Sequence, residues 1–215
     1  MGFKVYDFRN DEDICNMLVN PHIRSRFLRM EPGTMANRHS HDLGYEIFLI
    51  LQGRVIFEIS GAEAELGPGQ MCIAQPDEPH QVRVISEEPM IMYLSVTPHI
   101  QPTHTARDDE GNRLPLQFQP SSAYDVDTDT ETPLADLVDR QVEAARRLAE
   151  ITQESLRIHE TAAIQLKAAI AAGDDTALAA IRQQIWESGI YPSYKHLEFL
   201  GELWNSTSPR TGKVG

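Results

Sequence analysis

The sequence predicts a mainly β fold with an α-helical appendage: an antiparallel barrel followed by a helical region. Short apolar runs separated by glycine turns fill residues 33–100, as in a ladder of hairpins that closes into a barrel. Residues 134–172 contain neither proline nor glycine and are rich in helix-forming Ala, Leu, Glu, Gln and Arg. The polar stretch between these regions lacks a regular apolar period, which is typical of a loop or linker.

The chain therefore divides into four predicted regions. These are residues 1–100, a barrel with an N-terminal lead-in; residues 101–132, a polar loop or linker; residues 133–205, a helical extension; and residues 206–215, a disordered tail. Chain ends without an apolar pattern fray easily, which is why the tail is expected to be disordered. The elements expected in the lead-in are a strand at residues 4–6, a short turn or helix at residues 13–19 and a strand at residues 23–30.

The predicted barrel strands follow one another with short turns between them. A Gln-Gly turn separates two of them, and a Gly-Pro-Gly turn precedes a short apolar one. Beyond His80, Val82 and Val84 alternate with polar residues, as they do in a half-buried strand. The expected strands lie at residues 46–51, 54–59, 71–74, 81–84 and 90–96.

The helical region has clear start and stop signals. Thr132-Pro133 is an N-cap residue followed by a proline in the first helical position, and Gly173 is a typical C-cap. The helix between them would be about 58 Å long and has a broad apolar face that must be buried. Such an appendage predicts a homodimer interface or a buttress on the barrel, although it could instead roof the barrel mouth. Two shorter helices are expected after it, at residues 176–188, ended by Gly189, and at residues 194–204.

Composition excludes several classes of partner. A net charge of −13 in 215 residues disfavours nucleic acid and anionic membranes, because phosphate binding relies on clustered Lys and Arg. The sequence has no apolar run of membrane-spanning length and no secretory signal pattern at its N-terminus. Its two cysteines, Cys15 and Cys72, are far apart, which suits a reducing compartment. We therefore expect a cytoplasmic protein that binds neither nucleic acid nor membrane.

Four side chains have the types and the spacing of a metal site: His39, His41, Glu46 and His80. His39 and His41 are separated by a single residue, so they share one face of an extended strand. The turn after them lets Glu46 return beside them at the head of the next strand. Imidazole nitrogens and a carboxylate oxygen suit Fe, Mn, Ni, Cu or Zn. The pattern predicts one divalent metal ion per chain, with a proton-transfer role as the alternative for Glu46.

These residues resemble the cupin superfamily. The first cupin motif, G-(x5)-H-x-H-(x4)-E-(x6)-G, is matched at every fixed position from Gly33 to Gly53. In the second motif Gly69 and His80 are correctly spaced, whereas Asp77 stands where glycine is usual. The resemblance covers roughly residues 22–100. It implies a double-stranded β-barrel of the jelly-roll type, in which the four ligands converge on one metal ion.

Strand alternation extends the site into a predicted pocket. If Glu46 faces inward, so do Phe48 and Ile50, and Val82 joins them from a later strand. No arginine or lysine is expected to point inside. The walls are therefore expected to be largely apolar and to accept a small-molecule ligand or substrate. His104 is the further histidine of most interest, because its loop could pass the barrel mouth.

Three functions remain open on the sequence alone. The first is a metal-dependent oxygenase, resembling the small cupin dioxygenases, in which substrate and dioxygen share the free metal positions. The second is a redox-neutral isomerase or lyase, in which Tyr45 or Tyr93 accepts a proton. The third is a non-catalytic barrel that senses a ligand and reports its binding through the helices.

Overall fold

In the computed structural model, which describes residues 2–126, 129 and 131–212, the chain forms two compact units. The first unit contains the residues up to Asp129 together with those from Ser208 onward, and the second runs from Thr130 to Thr207. The described residues of the first unit form the strands β1 (Asn16–Asn20), β2 (Ile23–Met30), β3 (His39–Ser40), β4 (Tyr45–Gln52), β5 (Val55–Ile59), β6 (Ala62–Leu66), β7 (Met71–Ala74), β8 (His80–Val84), β9 (Met90–Thr97) and β10 (Thr105–Ala106).

The strands form two antiparallel sheets. The first has the order β1-β2-β9-β4-β7 and the second the order β10-β3-β8-β5-β6. Both orders place strands that are distant in sequence side by side, as a jelly roll does. The structure therefore confirms the predicted fold class, a mainly β barrel of this type with a C-terminal helical region.

Individual strands agree with the sequence to different degrees. β2 and β7 have the predicted bounds. Residues 4–6 form no strand in the described part of the chain, and β1 pairs with β2 where a turn or helix was expected. β6 and β10 are not among the predicted strands. The first four residues of β6 are exposed, so its sequence lacks the alternation of a half-buried strand, and pairing with β5 holds it in place.

The inner faces of the two sheets enclose an apolar core. The rings of Phe48 in the first sheet and Phe57 in the second lie 4.6 Å apart, so they join the two layers. Burying side chains of this size stabilises the fold by about 1.5–3 kcal/mol each. The buried members of the core are Phe48, Ile50, Val55, Phe57, Leu66, Ala74, Val82, Val84, Met90, Met92 and Leu94.

Part of the polar stretch after β9 belongs to the first unit. Gln101, Thr103 and Thr105 are buried, and β10 pairs with β3 at the edge of the second sheet. Tyr124, at the end of a short 3-10 turn, is also buried. Of the predicted loop or linker, residues 127, 128 and 130 lie outside the described residues.

The second unit is helical. It contains α1 (Leu134–Ala172), α2 (Asp175–Gln184), a π-helical turn (Ile185–Ile190) and α3 (Tyr191–Thr207). α1 has the predicted bounds, although Pro133 takes the N-cap position that was expected for Thr132. Gly173 ends it in the left-handed conformation, with φ 65°. The elements after Gly173 all pack back against α1.

Gly189 does not end a helix as the sequence predicted. It lies in the π-helical turn, where an added Cβ would come within 3.1 Å of His159 Cε1 on α1. A larger residue there would be in tight contact with the His159 side chain, and the helical path continues through Gly189. α3 extends into the predicted disordered tail as far as Thr207, and residues 213–215 lie outside the described residues. None of the described helices combines the length and apolarity needed to cross a membrane.

Candidate metal centre

Both sheets contribute to the predicted metal site. His39 of β3 and His80 of β8 are direct cross-strand partners in the second sheet. His41 follows immediately after β3, and Glu46 comes from β4 in the first sheet. Strand pairing and the turn between β3 and β4 therefore bring these four side chains together inside the barrel.

The four side chains form a single cluster. One ligand atom from each lies within 4.8 Å of all the others. Glu46 Oε2 lies 2.8 Å from His41 Nε2, 3.0 Å from His80 Nε2 and 3.9 Å from His39 Nε2. His41, Glu46 and His80 are buried, and His39 is half-buried. Because three imidazoles and a carboxylate suit a divalent ion, this cluster could bind a metal.

Backbone carbonyls orient each imidazole of the cluster. His39 and His80 each donate through Nδ1 to the carbonyl of the residue two positions earlier, at 2.9 Å. His41 donates through Nδ1 to the carbonyl of Thr103. A carbonyl oxygen can only accept, so each Nδ1 carries a proton and each Nε2 directs its lone pair toward Glu46. These lone pairs and the carboxylate repel one another unless a cation or additional protons lie between them.

The environment keeps Glu46 ionised and His39 neutral. Burial raises the pKa of Glu46, but hydrogen bonds from His41 and His80, when these carry Nε2 protons, outweigh it and hold that pKa well below its usual value. Burial and then the neighbouring His80 lower the pKa of His39 to about 4. A carboxylate and a neutral imidazole are the protonation states in which these groups bind metals.

A cavity of about 90 Å³ lies beside the cluster. Of the three predicted pocket residues, Phe48 and Val82 line it, whereas Ile50 is fully buried in the core and does not reach it. The volume is below the roughly 300 Å³ at which pockets for drug-sized ligands begin. The cavity therefore suits a small molecule.

The prediction that no arginine or lysine faces the cavity is wrong, although most of the residues that line it are apolar, as expected. Arg24 and Arg26 of β2 line the cavity, together with Gln81 and His104. Alternation along β2 directs Arg24, Arg26 and Leu28 to the same face. The alternation is visible in the predicted strand at residues 23–30. Which face of that strand turns toward Glu46 depends on the sheet topology, which the sequence does not show.

His104 lies directly beside the histidine cluster. Its ring centroid is 4.9 Å from the centroids of both His39 and His41. Its Nδ1 is 3.0 Å from Thr103 Oγ1. Burial, followed by the neighbouring His41 and His39, lowers the pKa of His104 well below its usual value, so the ring is neutral near pH 7. The wall of the site thus contains a further imidazole, which the sequence indicated only through the position of its loop.

The two tyrosines suggested as proton acceptors do not face the cavity. Tyr45 precedes Glu46 on β4, points to the other side of the sheet and is 50% exposed. Tyr93 lies on the outer face of β9, where its hydroxyl oxygen is 2.9 Å from Ser25 Oγ. Their suggested role at the site is therefore wrong, because strand alternation places both on the opposite face from Glu46.

The loop before His80 reaches the site although it lacks the usual glycine. Asp77 has φ 65°, in the left-handed region that glycine adopts freely and aspartate tolerates. Its amide donates to the carbonyl of His41 at 2.8 Å. Its carboxylate forms ion pairs with Arg113 and Arg107. The aspartate thus takes the backbone conformation of the missing glycine and ties the loop to the segment that carries His41.

Comparisons with known proteins agree with this geometry. Residues 26–97 match the family described as Cupin domain. This segment of the chain is therefore a cupin domain, as the histidine and glutamate spacing indicated. No curated protein matches the sequence.

Several solved structures are similar to the chain. TT1209 from Thermus thermophilus is 22% identical, with 45% of this chain and 98% of that chain covered at a TM-score of 0.41. The Cnp3 cupin domain of Schizosaccharomyces pombe is 15% identical, with 38% and 60% covered at a TM-score of 0.37. A sugar phosphate isomerase from a cupin superfamily of Silicibacter pomeroyi is 23% identical, with 41% and 57% covered at a TM-score of 0.37. The chain thus spans only 60% and 57% of the latter two, and these similarities assign no activity to it.

Proposed function

We propose that the barrel binds one divalent metal ion through His39, His41, Glu46 and His80 and acts as a metal-dependent oxygenase on a small organic substrate. The observation that supports this most directly is the convergence of three Nε2 atoms on Glu46 Oε2, with each Nδ1 held by a backbone carbonyl. A divalent cation at this point would offset the repulsion between the imidazole lone pairs and the carboxylate.

The donor set fits a redox-active ion. Three imidazoles and one carboxylate supply four donors, which leaves positions free on an octahedral ion. When bound, such an ion supplies Lewis acidity and, if it is iron or copper, the electron transfer that oxygen chemistry requires. Beside the four ligands lies the cavity, whose lining includes Phe48, Val82 and Met92; these apolar side chains would limit the access of bulk water to a bound ion.

A redox-neutral isomerase or lyase is the second candidate, and His104 is the observation that favours it. Its neutral ring lines the cavity beside His39 and His41. Because Thr103 Oγ1 engages its Nδ1, its Nε2 is the nitrogen that can exchange a proton with a substrate. In this hypothesis His104 takes the role that the sequence suggested for Tyr45 or Tyr93.

Metal analysis tests the binding site. Protein purified without chelators should contain about one equivalent of a divalent transition metal. His80→Ala should weaken metal binding by more than about 10-fold, because it removes a ligand and leaves Glu46 with one fewer partner. His159→Ala, which changes a histidine on α1, is the matched control and should keep full metal content. Full occupancy in His80→Ala contradicts the assignment.

Oxygen uptake separates the candidate reactions. With Fe(II)-loaded protein and a panel of small hydroxy acids, keto acids and diketones, an oxygenase consumes dioxygen and places labelled oxygen in the product. Turnover under nitrogen, with Zn or Mn equally effective, selects the isomerase or lyase. In that case His104→Phe should lower kcat while metal content stays unchanged. Ligand binding without any turnover would favour the ligand-sensing alternative.

We also propose that the helical unit forms a homodimer interface. Large exposed apolar surfaces commonly mark interaction sites. The exposed apolar side chains along α1 are Val138, Val142, Leu156, Ile164 and Ile170. Light scattering should give twice the monomer mass for the wild type and the monomer mass for Ile164→Glu. A monomeric wild type contradicts the proposal.

A further inference from the structure

The inner face of β2 carries two arginines that are not among the proposed metal ligands. Arg24 is only 2% exposed, and its Nη2 lies 3.9 Å from Glu46 Oε1. Arg26 is half-buried and lines the same cavity. Within the described part of the chain, neither arginine has a hydrogen-bond partner for its Nε. Burying charge without sufficient partners costs free energy, so a compensating role is expected.

Positive charge exceeds negative charge around the cavity. Glu46 is the one carboxylate among the described residues that line it, whereas Arg24 and Arg26 both do. Burial and then the charge of Arg24 lower the pKa of Arg26 to about 10, which still leaves it protonated near pH 7. A divalent ion on the histidine cluster adds further positive charge. An anionic ligand would neutralise this excess.

Arg24 is held in position by a segment that also orients the cluster. Its guanidinium carbon lies 5.1 Å from the centroid of the Tyr124 ring. The Tyr124 hydroxyl is hydrogen-bonded with Thr103 Oγ1. The carbonyl of Thr103 accepts from His41 Nδ1. Thr103 and Tyr124 thereby fix the guanidinium and a predicted metal ligand relative to each other.

The sheet register places the two arginines at successive depths. Arg24 stands in the same cross-strand row as Glu46, with one residue of β9 between them. Arg26 stands in the next inward-facing row, which contains Phe48. The two positive groups therefore extend along the cavity wall from the cluster toward its apolar part. A ligand bound by them lies within reach of the cluster.

We propose that the substrate of this site carries an oxyanion group, a carboxylate or a phosphate, which Arg24 and Arg26 bind while the adjacent part of the molecule faces the metal site. The position of the reacting end rests on the proposed function, but the anion contact does not require the metal. Guanidinium groups bind such oxyanions through paired, charge-assisted hydrogen bonds. The cavity volume of about 90 Å³ favours a small carboxylate over a phosphorylated sugar.

Binding of matched probes to chelator-treated protein tests this assignment without any metal chemistry. The probes are glycolate, its neutral near-isostere glycolamide, and inorganic phosphate, each followed by calorimetry or ligand-observed NMR. Glycolate should bind at least about 10-fold more tightly than glycolamide, because it alone forms charge-assisted hydrogen bonds with the arginines. Tighter binding of phosphate than of glycolate would support the oxyanion and identify it as phosphate.

Arginine variants complete the test. Arg26→Gln and Arg24→Gln should each weaken glycolate binding at least about 10-fold. Arg29→Gln changes an arginine on the outer face of β2 and should bind glycolate as the wild type does. Circular dichroism confirms folding, and Arg26→Gln, at the less buried position, remains informative if Arg24→Gln does not fold.

Two results overturn the proposal, and neither depends on the outcome of metal analysis. One is equal binding of glycolate and glycolamide. The other is folded arginine variants that bind glycolate as tightly as Arg29→Gln does. If the protein binds no metal but prefers glycolate to glycolamide in an arginine-dependent way, the proposed function is wrong and the anion site is supported. If the protein shows metal-dependent turnover but no arginine-dependent anion binding, the proposed function is supported and the anion site is wrong.

Discussion

The two ends of the barrel interior differ in chemistry although the same strands build both. β4 supplies Glu46 at one end and the fully buried Ile50 at the other, and β2 supplies Arg24 and then Met30. At the polar end the inward side chains include charged groups and imidazoles, whereas at the apolar end they form the core. Alternation decides which residues face inward, and position along the strand decides whether they join the apolar core or the polar cluster.

The apolar end stabilises the folded protein, whereas the polar end destabilises it. Each apolar side chain at the core end stabilises the barrel through burial. Ionised groups at the other end are removed from water with few partners, which costs free energy, and the proposed metal and anion would offset that cost. The apolar end is therefore expected to stabilise the fold and the polar end to destabilise it, and four substitutions or conditions can test this contrast.

The largest effect is expected at the apolar end. Ile50→Ala removes a fully buried side chain and should lower the free energy of unfolding by about 2–5 kcal/mol in urea titrations. Metal content at low temperature should be unchanged, because Ile50 does not line the cavity. Ile73→Ala, at an exposed position of β7, is the control and should change stability by less than about 0.5 kcal/mol. Loss of metal with little loss of stability in Ile50→Ala would mean that the two ends are not separate.

The second effect is a loss of stability in mild acid, caused by protonation of a buried histidine at the polar end. Burial, followed by the neighbouring Arg24 and His41, lowers the pKa of His99 to about 3. Because the unfolded chain then binds a proton that the folded chain does not, stability falls as the pH drops below the usual histidine pKa. His99 should contribute a loss of about 2 kcal/mol between about pH 7.5 and pH 5.

Urea titrations of metal-free protein at the two pH values measure this loss. His39 and His104, whose pKa values are also lowered, should add to it in the same direction. His99→Phe keeps a ring against Tyr124, 4.8 Å away in the wild type, and should reduce the acid sensitivity. Identical pH dependence in the wild type and in His99→Phe would show that the folded protein accepts the proton there.

The third effect is an increase in stability when a charge is removed from the polar end. Arg26→Leu replaces a partly buried charge with an apolar side chain and should raise the free energy of unfolding of the metal-free protein by roughly 1–2 kcal/mol. Arg29→Leu, on the outer face of the same strand, should stay within about 0.5 kcal/mol of the wild type. A destabilised Arg26→Leu protein would show that the guanidinium is already compensated in the folded chain.

Some parts of the fold and of the site could be predicted from the sequence, and others could not. The hairpin ladder and the four-residue cluster followed from spacing and alternation, because both are local rules that one strand or one turn carries. The arginines at residues 24 and 26 obey the same alternation, yet recognising them requires knowing that β2 lies two strands away from Glu46 in the same sheet. The strand order of the sheet determines which strands are neighbours, and the sequence of a single strand does not reveal that order.

Other features of the site depend on contacts between distant parts of the chain. Thr103 and Tyr124 reach the cluster from a polar stretch that has no periodic pattern, so the sequence gives no local signal for their burial. Gly189 illustrates the opposite difficulty, since its local signal is a helix end while the structure places it inside a continuous helical path that packs against α1. Tertiary packing overrides local preference in both cases.

The smallest expected effect concerns Asp77, where the sequence departs from the cupin motif. Asp77→Ala loses the ion pairs with Arg113 and Arg107 and also places a side chain without aspartate's local tolerance at φ 65°. Asp77→Gly loses the same ion pairs but relaxes the backbone, so it should be about 1 kcal/mol more stable than Asp77→Ala. Urea titrations of both variants measure the difference, and metal affinity reports whether the loop still positions His80. Equal stability of the two variants would mean that the ion pairs, and not the left-handed conformation, fix this loop beside His41.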